Sequence, residues 1–201
     1  MPTSKSMPRA PSRPVRQRNA EATRAAILQS ARKAFAKAGY DGAGVRDIAG
    51  GAGVTAMLVN RYFGSKERLF AEAVTESMAT TSVLGPQITR TGASGHAIAA
   101  ALIGITKAED TPLEGFQIML RSASSRRAAR IARKLIERHH QKNIADSLEG
   151  SLAAQRAGVM LALIAGFQLM RQELELSALA RAEPKTLVSV LGPIFDQLLA
   201  R

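Results

Sequence analysis

The chain has 201 residues and a net charge of +12, and only 4% of it is aromatic, with no Trp and no Cys. That length can bury a sizeable core, necessarily of Ala, Leu, Ile, Val and Met for the most part, while disulfide and thiolate chemistry are excluded. Thirteen of the 28 Lys and Arg lie in residues 1–70 against four of the 16 acidic residues, so the expected partner is anionic, either nucleic acid or a membrane surface.

Residues 1–18 carry Lys5, Arg9, Arg13, Arg16 and Arg18 among four prolines. They are expected to form a disordered basic arm, which either lies along phosphates or is a solubilising tail. They hold no continuous apolar stretch of the kind a signal peptide needs. The first helix is expected to start with Asn19 as its cap and Glu21 in its first turn. It buries Ile27, Leu28, Ala31, Phe35 and Ala38 before Gly39 ends it. From Val45 to Lys66, VRDIAGGAGVTAMLVNRYFGSK reads as a helix, a glycine turn and a second helix. Gly50, Gly51 and Gly53 free the turn, and Thr55 caps the second helix. Val59 and Phe63 then face inward, leaving Ala56, Met57, Asn60 and Arg61 on a short outer face that fits a DNA major groove. A plain helical hairpin in a bundle has the same spacing.

Ser65 caps a fourth helix whose stripe is Leu69, Phe70, Ala73, Val74 and Met78. Gly85-Pro86 stops it, and Gly92 to Gly95 reads as a flexible loop. Further helices are expected over 96–107, 113–122, 125–142, 151–176 and 184–199, with no period-two run for a strand. In the 125–142 helix, Arg126, Arg127, Arg130, Arg133, Lys134, Arg138 and Lys142 share one half of the wheel. Ala128, Ala129, Ala132, Leu135, Ile136 and His139 share the other. This is a solvated face over a packed one, or a basic amphipathic helix for a membrane, RNA or an acidic partner.

The stretch 157–167 is apolar all round and must be covered on more than one side. At 11 residues it falls short of the roughly 20 of a membrane span, so a soluble chain with no membrane partner is expected. The cheapest cover is a second copy; the alternative is a fully buried central helix in a monomer. Met160 on this helix and Leu187, Leu191, Ile194, Phe195 and Leu198 on the last one would pair with their counterparts in a four-helix bundle. Pro193 is expected to kink or restart the last helix. GFQIMLR at Gly115 and GFQLMR at Gly166 echo one another. Phe116, Met119, Phe167 and Met170 are therefore candidate walls, and Gln117 and Gln168 candidate polar contacts, of a pocket for an apolar small molecule; a packed core would use the same residues. His139 and His140 are adjacent in a helix, about 100° apart, and make no chelate. No nucleophile elbow, phosphate loop or spaced carboxylate–histidine set is present, so no catalytic residue, metal site or cofactor is expected.

The stretch from about residue 20 to 75 closely resembles the N-terminal domain of TetR-type transcriptional regulators. The resemblance rests on Thr23-Arg24, Ile27, Ala31, Phe35, Gly39-Tyr40, Val45-Arg46-Asp47-Ile48-Ala49, Ala52-Gly53-Val54, Arg61-Tyr62-Phe63 and Ser65-Lys66-Glu67. It implies an all-α homodimer in which three N-terminal helices bind a double-stranded operator and a C-terminal bundle binds a small effector. It also implies that Arg46 reaches a guanine or a phosphate, that Thr55, Ala56, Met57, Asn60 and Arg61 form the base-reading face, and that Tyr62 and Lys66 clamp phosphates. Asn60 has the groups to pair with adenine, and Ala56 and Met57 to touch thymine methyls. The sequence departs from the family pattern at Gly44, where a hydroxyl usually caps the second helix, at Gly51, and at Asn60, where Tyr is usual. The two glycines are expected to loosen the second helix.

The reading that results is a cytoplasmic, homodimeric, one-component repressor. Residues 19–66 form the DNA-binding domain, with the helix–turn–helix at 43–62, and 67–201 sense an effector and dimerise. The alternative is a basic helical protein held at nucleic acid or membrane surfaces without operator specificity.

Overall fold

The computed structural model describes residues 15–79, 94–107 and 113–200. In chain order the helices are α1 (Val15–Gly42), α2 (Val45–Gly51), α3 (Ala56–Phe63), α4 (Lys66–Ala79), α5 (Gly95–Ile105), α6 (Glu114–Ser122) and α7 (Arg126–Ile136). A π-helical turn, Glu137–Gln141, leads into the short α8 (Lys142–Ala145). Then follow α9 (Ala153–Gln168), a second π turn (Leu169–Glu173), α10 (Ser177–Ala180) and α11 (Pro184–Leu199). No strand occurs among the described residues. The expected stop at Gly85-Pro86 and the arm before residue 15 lie outside the described residues.

Two hydrophobic cores organise the chain. The first joins Ile27, Ala31 and Phe35 of α1, Ile48 of α2, Val59 and Phe63 of α3 and Leu69 and Phe70 of α4 to Ile118 of α6 and Ala128 of α7. Its aromatic centre is Phe70, with Phe35 and Tyr40 each edge-on to it at 5.1 Å, a favourable geometry for ring quadrupoles. The second gathers Ile98 and Leu102 of α5, Ile144 of α8, Met160 and Phe167 of α9 and Leu187, Leu191 and Phe195 of α11. The first core therefore extends past residue 66 and takes in α6 and α7.

Several expectations are corrected. α1 is already helical at Val15, so Asn19 is not its cap and residues 15–18 belong to the helix, not to a disordered arm. Nothing between Val15 and Arg18 is a helix breaker. Gly39 does interrupt α1, with φ +67°. A Cβ there would run into the Arg121 carbonyl oxygen at the end of α6, so two distant backbones touch at this point. Gly51 does not loosen α2: a Cβ would collide with Ser30 Oγ, which donates to the Ile48 carbonyl at 2.8 Å. The hydroxyl occupies the side-chain space and satisfies one of the helix's last carbonyls. Gly44 caps α2 with no side-chain bond, and Asp47 supplies negative charge in the first turn instead. Gly95 is no loop residue. It is buried in the first turn of α5, where its amide donates to Asp196 Oδ1 of α11 at 2.5 Å.

The proposed interface stripe is largely internal. Met160, Leu187, Leu191 and Phe195 are buried, and Leu198 is half-buried, all in the second core of a single chain, where α11 packs against α5. Helical spacing showed that the stripe is covered but not by what. Ile194 remains 40% exposed, together with Val159 at 53% and Val190 at 59%. α11 runs unbroken through Pro193. The segment Ala153–Glu173 is long and apolar enough to cross a membrane, contrary to the expectation from its 11-residue run. Its Arg171, however, is buried and donates through Nη1 to the Ile103 carbonyl at 2.9 Å and to Thr106 Oγ1 at 3.2 Å. That bond pair closes the C-terminal end of α5, and burial holds the guanidinium below its ordinary pKa.

Candidate nucleic-acid interface

The second helix of the helix–turn–helix is held from below and open above. Thr55 caps α3, its hydroxyl accepting the Leu58 amide at 3.3 Å. Val59 and Phe63 are buried in the first core, and the Arg24 guanidinium lies 4.9 Å over the Phe63 ring. On the other side Met57 is 82% exposed, and Asn60, Arg61 and Thr55 are exposed as well. Residues 57, 60 and 61 are three and four apart and so share one helical face. Arg46 is exposed in the first turn of α2. Ala56 and Tyr62 are half-buried, packed against the first core. The structure thus sets Met57, Asn60 and Arg61 on one surface, with Thr55 at its start, and turns Ala56 and Tyr62 partly toward the interior.

Lys66 begins α4, whose cap is Ser65, its hydroxyl accepting the Arg68 amide at 3.3 Å. The Lys66 ammonium stands 4.7 Å from the Tyr40 ring centroid, within cation–π range, so the ring positions the charge. Burial, then the nearby Glu67 carboxylate, raises the Tyr40 hydroxyl above its ordinary pKa. Glu67 is itself held below the usual carboxylate range, first by its own backbone amide and then by Ser65. Its carboxylate pairs with Arg127 of α7 at 2.8 Å. The sequence reading did not connect α7 to this region, because an ion pair spanning 60 residues leaves no local pattern.

Two further contacts fasten the same corner. The Tyr40 amide donates to Ser122 Oγ at 3.0 Å, and Ser125 Oγ donates to Asp41 at 3.1 Å. Ser122 also lines a cavity of about 430 Å³ between α6, α7 and α9, with Met119, Ala129, Ala132, Ile136 and Leu161 among its apolar walls and Arg133, Glu137 and Gln141 as polar groups. Of the six residues proposed for an effector pocket, only Met119 lines it. Phe116, Phe167 and Gln168 are buried elsewhere, Gln117 is half-buried, and Met170 is 40% exposed. The two GFQ segments are not equivalent: Gly115 packs against the Ser77 backbone, whereas Gly166 faces open space. The cavity's small-residue wall was visible in the alanines of the 126–142 helix.

His140, not His139, is the histidine turned inward: it is half-buried while His139 is exposed. The π turn at 137–141 adds a residue to the helical turn and so moves the register by one position. Burial, and then the neighbouring His139, lowers the His140 pKa. No group of three metal-ligating side chains occurs among the described residues.

Residues 27–73 match the family model described as bacterial regulatory proteins, tetR family, and residues 93–199 match the tetracyclin repressor-like C-terminal domain. This chain belongs to the TetR family. It is therefore a DNA-binding transcriptional regulator, in a family of regulators rather than enzymes. No curated protein matches it. Among solved structures, a TetR-family regulator from Streptomyces coelicolor is similar at 23% identity, covering 94% of this chain and 99% of the other, with a TM-score of 0.53. NalD of Pseudomonas aeruginosa, described as the secondary repressor of the MexAB-OprM multidrug efflux pump, is similar at 19% identity, covering 92% and 98%, with a TM-score of 0.61. A TetR-family regulator from Agrobacterium tumefaciens is similar at 18% identity, covering 90% and 100%, with a TM-score of 0.59. At these identities the likeness is one of fold.

Proposed function

We propose that this TetR-family chain is a cytoplasmic, homodimeric, one-component repressor that a small molecule releases from a near-palindromic operator. The carrying observation is the outer face of α3, where Met57, Asn60 and Arg61 stand exposed on a helix anchored by the buried Val59 and Phe63. In this reading residues 19–66 read the operator and 67–201 sense and dimerise. Arg46 reaches a base or phosphate, Thr55, Ala56, Met57, Asn60 and Arg61 read base edges, and Tyr62 and Lys66 hold phosphates. Dimerisation runs through the outward side of α9 and α11, where Val159, Val190 and Ile194 are exposed. Two reading heads then meet half-sites one helical turn apart.

The effector reading is supported by the 430 Å³ cavity, whose walls suit an apolar or amphipathic molecule. Its link to the reading head is Ser122, which lines the cavity and accepts the Tyr40 amide. A ligand that displaces the α6–α7 corner shifts α1 with it and changes the spacing of the two heads. By linkage, the effector then binds the operator complex less well by the same factor.

The deciding experiment selects duplexes on the purified protein and compares the selected site with a scrambled one across salt concentrations. Specific, salt-dependent binding is expected. Arg46→Ala or Asn60→Ala should cost about 1–3 kcal/mol on the selected site and relax preference at particular base pairs, whereas Lys66→Ala should weaken all duplexes alike. Equal binding of both duplexes at physiological salt would favour the alternative of a nonspecific basic protein. Lipophilic compounds that raise thermal stability are then tested for loss of operator affinity.

A further inference from the structure

The most strongly charged surface left without a role is the outer side of α7 and its continuation. Arg126, Arg127, Arg130, Arg133, Lys134, Arg138 and Lys142 are all exposed there. Arg127 pairs with Glu67, Arg133 with Glu137 and Lys142 with Asp146. Arg126, Arg130, Lys134 and Arg138 form no salt bridge among the described residues. These four follow one another at intervals of four, a ladder of like charges about 18 Å long at a rise of about 1.5 Å per residue. Like charges one turn apart repel and weaken a helix. The ladder is therefore a standing cost to the free protein that a line of negative charge would relieve.

Its position identifies the occupant. The first turn of α7 is bound to the reading head by Arg127–Glu67, and Glu67 directly follows Lys66. Ser125, its N-cap, donates to Asp41 in the last turn of α1. The ridge thus begins beside α4, the helix that carries the proposed phosphate contact of Lys66. Three of its four unpaired cations are arginines, whose planar fork matches phosphate oxygens. An anionic membrane fits less well. A helix lying in a bilayer interface needs a free apolar face, whereas Ala128 is buried and Ile131 and Leu135 pack against the first core.

We propose that the α7 ridge binds the phosphates of DNA flanking the operator half-site, extending the footprint beyond the bases that α3 reads. This rests on the operator-binding reading above, and the test separates the two. Affinity is measured with full-length protein on two duplexes, the selected site alone and the same site with one extra helical turn (about 10 base pairs) at each end. The unmodified protein is expected to bind the longer duplex more tightly and with a steeper salt dependence, each added phosphate contact contributing about 0.9 to the log–log slope. The triple variant Arg126→Gln/Arg130→Gln/Lys134→Gln is expected to lose that added slope and at least roughly fivefold in affinity on the long duplex. It should bind the short duplex as before. Replacing the two arginines with Lys should retain the gain from the flanks, which excludes a folding defect as its cause. The proposal is overturned if the triple variant matches the unmodified protein on both duplexes. It is equally overturned if the variant loses only binding to phosphatidylglycerol vesicles, which would assign the ridge to membranes. If the short duplex is not bound specifically while the ridge variant still lowers the salt slope, the operator reading fails and the ridge stands.

Discussion

The two cores of this chain differ in how they end. The first is closed: Phe35, Phe70, Ile27, Ile48 and Leu69 are fully buried, and α6 and α7 complete its walls from the same chain. The second is buried at its centre, at Phe195, Leu102 and Met160, but its outer helices leave Val159 and Val190 more than half exposed. A closed core holds the reading helix in one orientation without outside help. An open one has apolar area left to bury, and burial of such area is the main driving force for association. In the proposed dimer, the difference separates a part that must be rigid from a part that must find its counterpart.

Neighbouring residues in α11 give the sharpest break of this comparison. Leu191→Glu places a charge without a partner inside the second core, and we expect loss of the cooperative thermal transition. Val190→Glu, one position before, should leave the protomer folded and shift the proposed dimer toward monomer in light scattering, with operator affinity falling. If both variants behave alike, the second core is not divided into inner and outer sides as described. In the closed core, Phe35→Ala should cost about 3–5 kcal/mol in denaturant unfolding, a large-to-small change in a tightly filled site.

Ser122→Ala tests the seam between the regions. It strands the buried Tyr40 amide, and a loss of about 1–3 kcal/mol is expected. A loss of effector response with DNA affinity retained would mark this bond as the coupling link.

The smallest effect is one of pH. The folded chain holds His140 below its ordinary pKa, so the unfolded chain takes up the proton first. Stability should therefore decline as pH falls through the ordinary imidazole value and level off once folded His140 is also protonated. Urea midpoints measured across that range should flatten in His140→Gln.

Much of this architecture was legible in the residues. Thr55 and Ser65 cap as their hydroxyls allow, and a helix over 184–199 follows its stripe, although it runs unbroken through the Pro193 expected to kink or restart it. The face of α3 followed from the positions of Val59 and Phe63. What escaped depended on long-range partners or on departures from the regular helical period. Periodicity identifies Leu191 and Phe195 as covered, but the choice between α5 and a second subunit belongs to the tertiary fold. The inward histidine was misplaced by one residue because the π turn shifts the register, and the six pocket residues were grouped by a sequence echo whose two copies meet different neighbours.

Gly39 carries a consequence for how motion passes through the molecule. Where side chains mediate a contact, rotamers absorb small displacements and the far side need not follow. At Gly39 the α1 backbone lies directly on the Arg121 carbonyl, with no room even for a methyl group. The joint has no backlash: a sideways shift of the end of α6 displaces α1 from the first fraction of an ångström. The same tightness makes the position intolerant of change, since Gly39→Ala would add a clash to the strain of a left-handed backbone and pry α1 away from the end of α6.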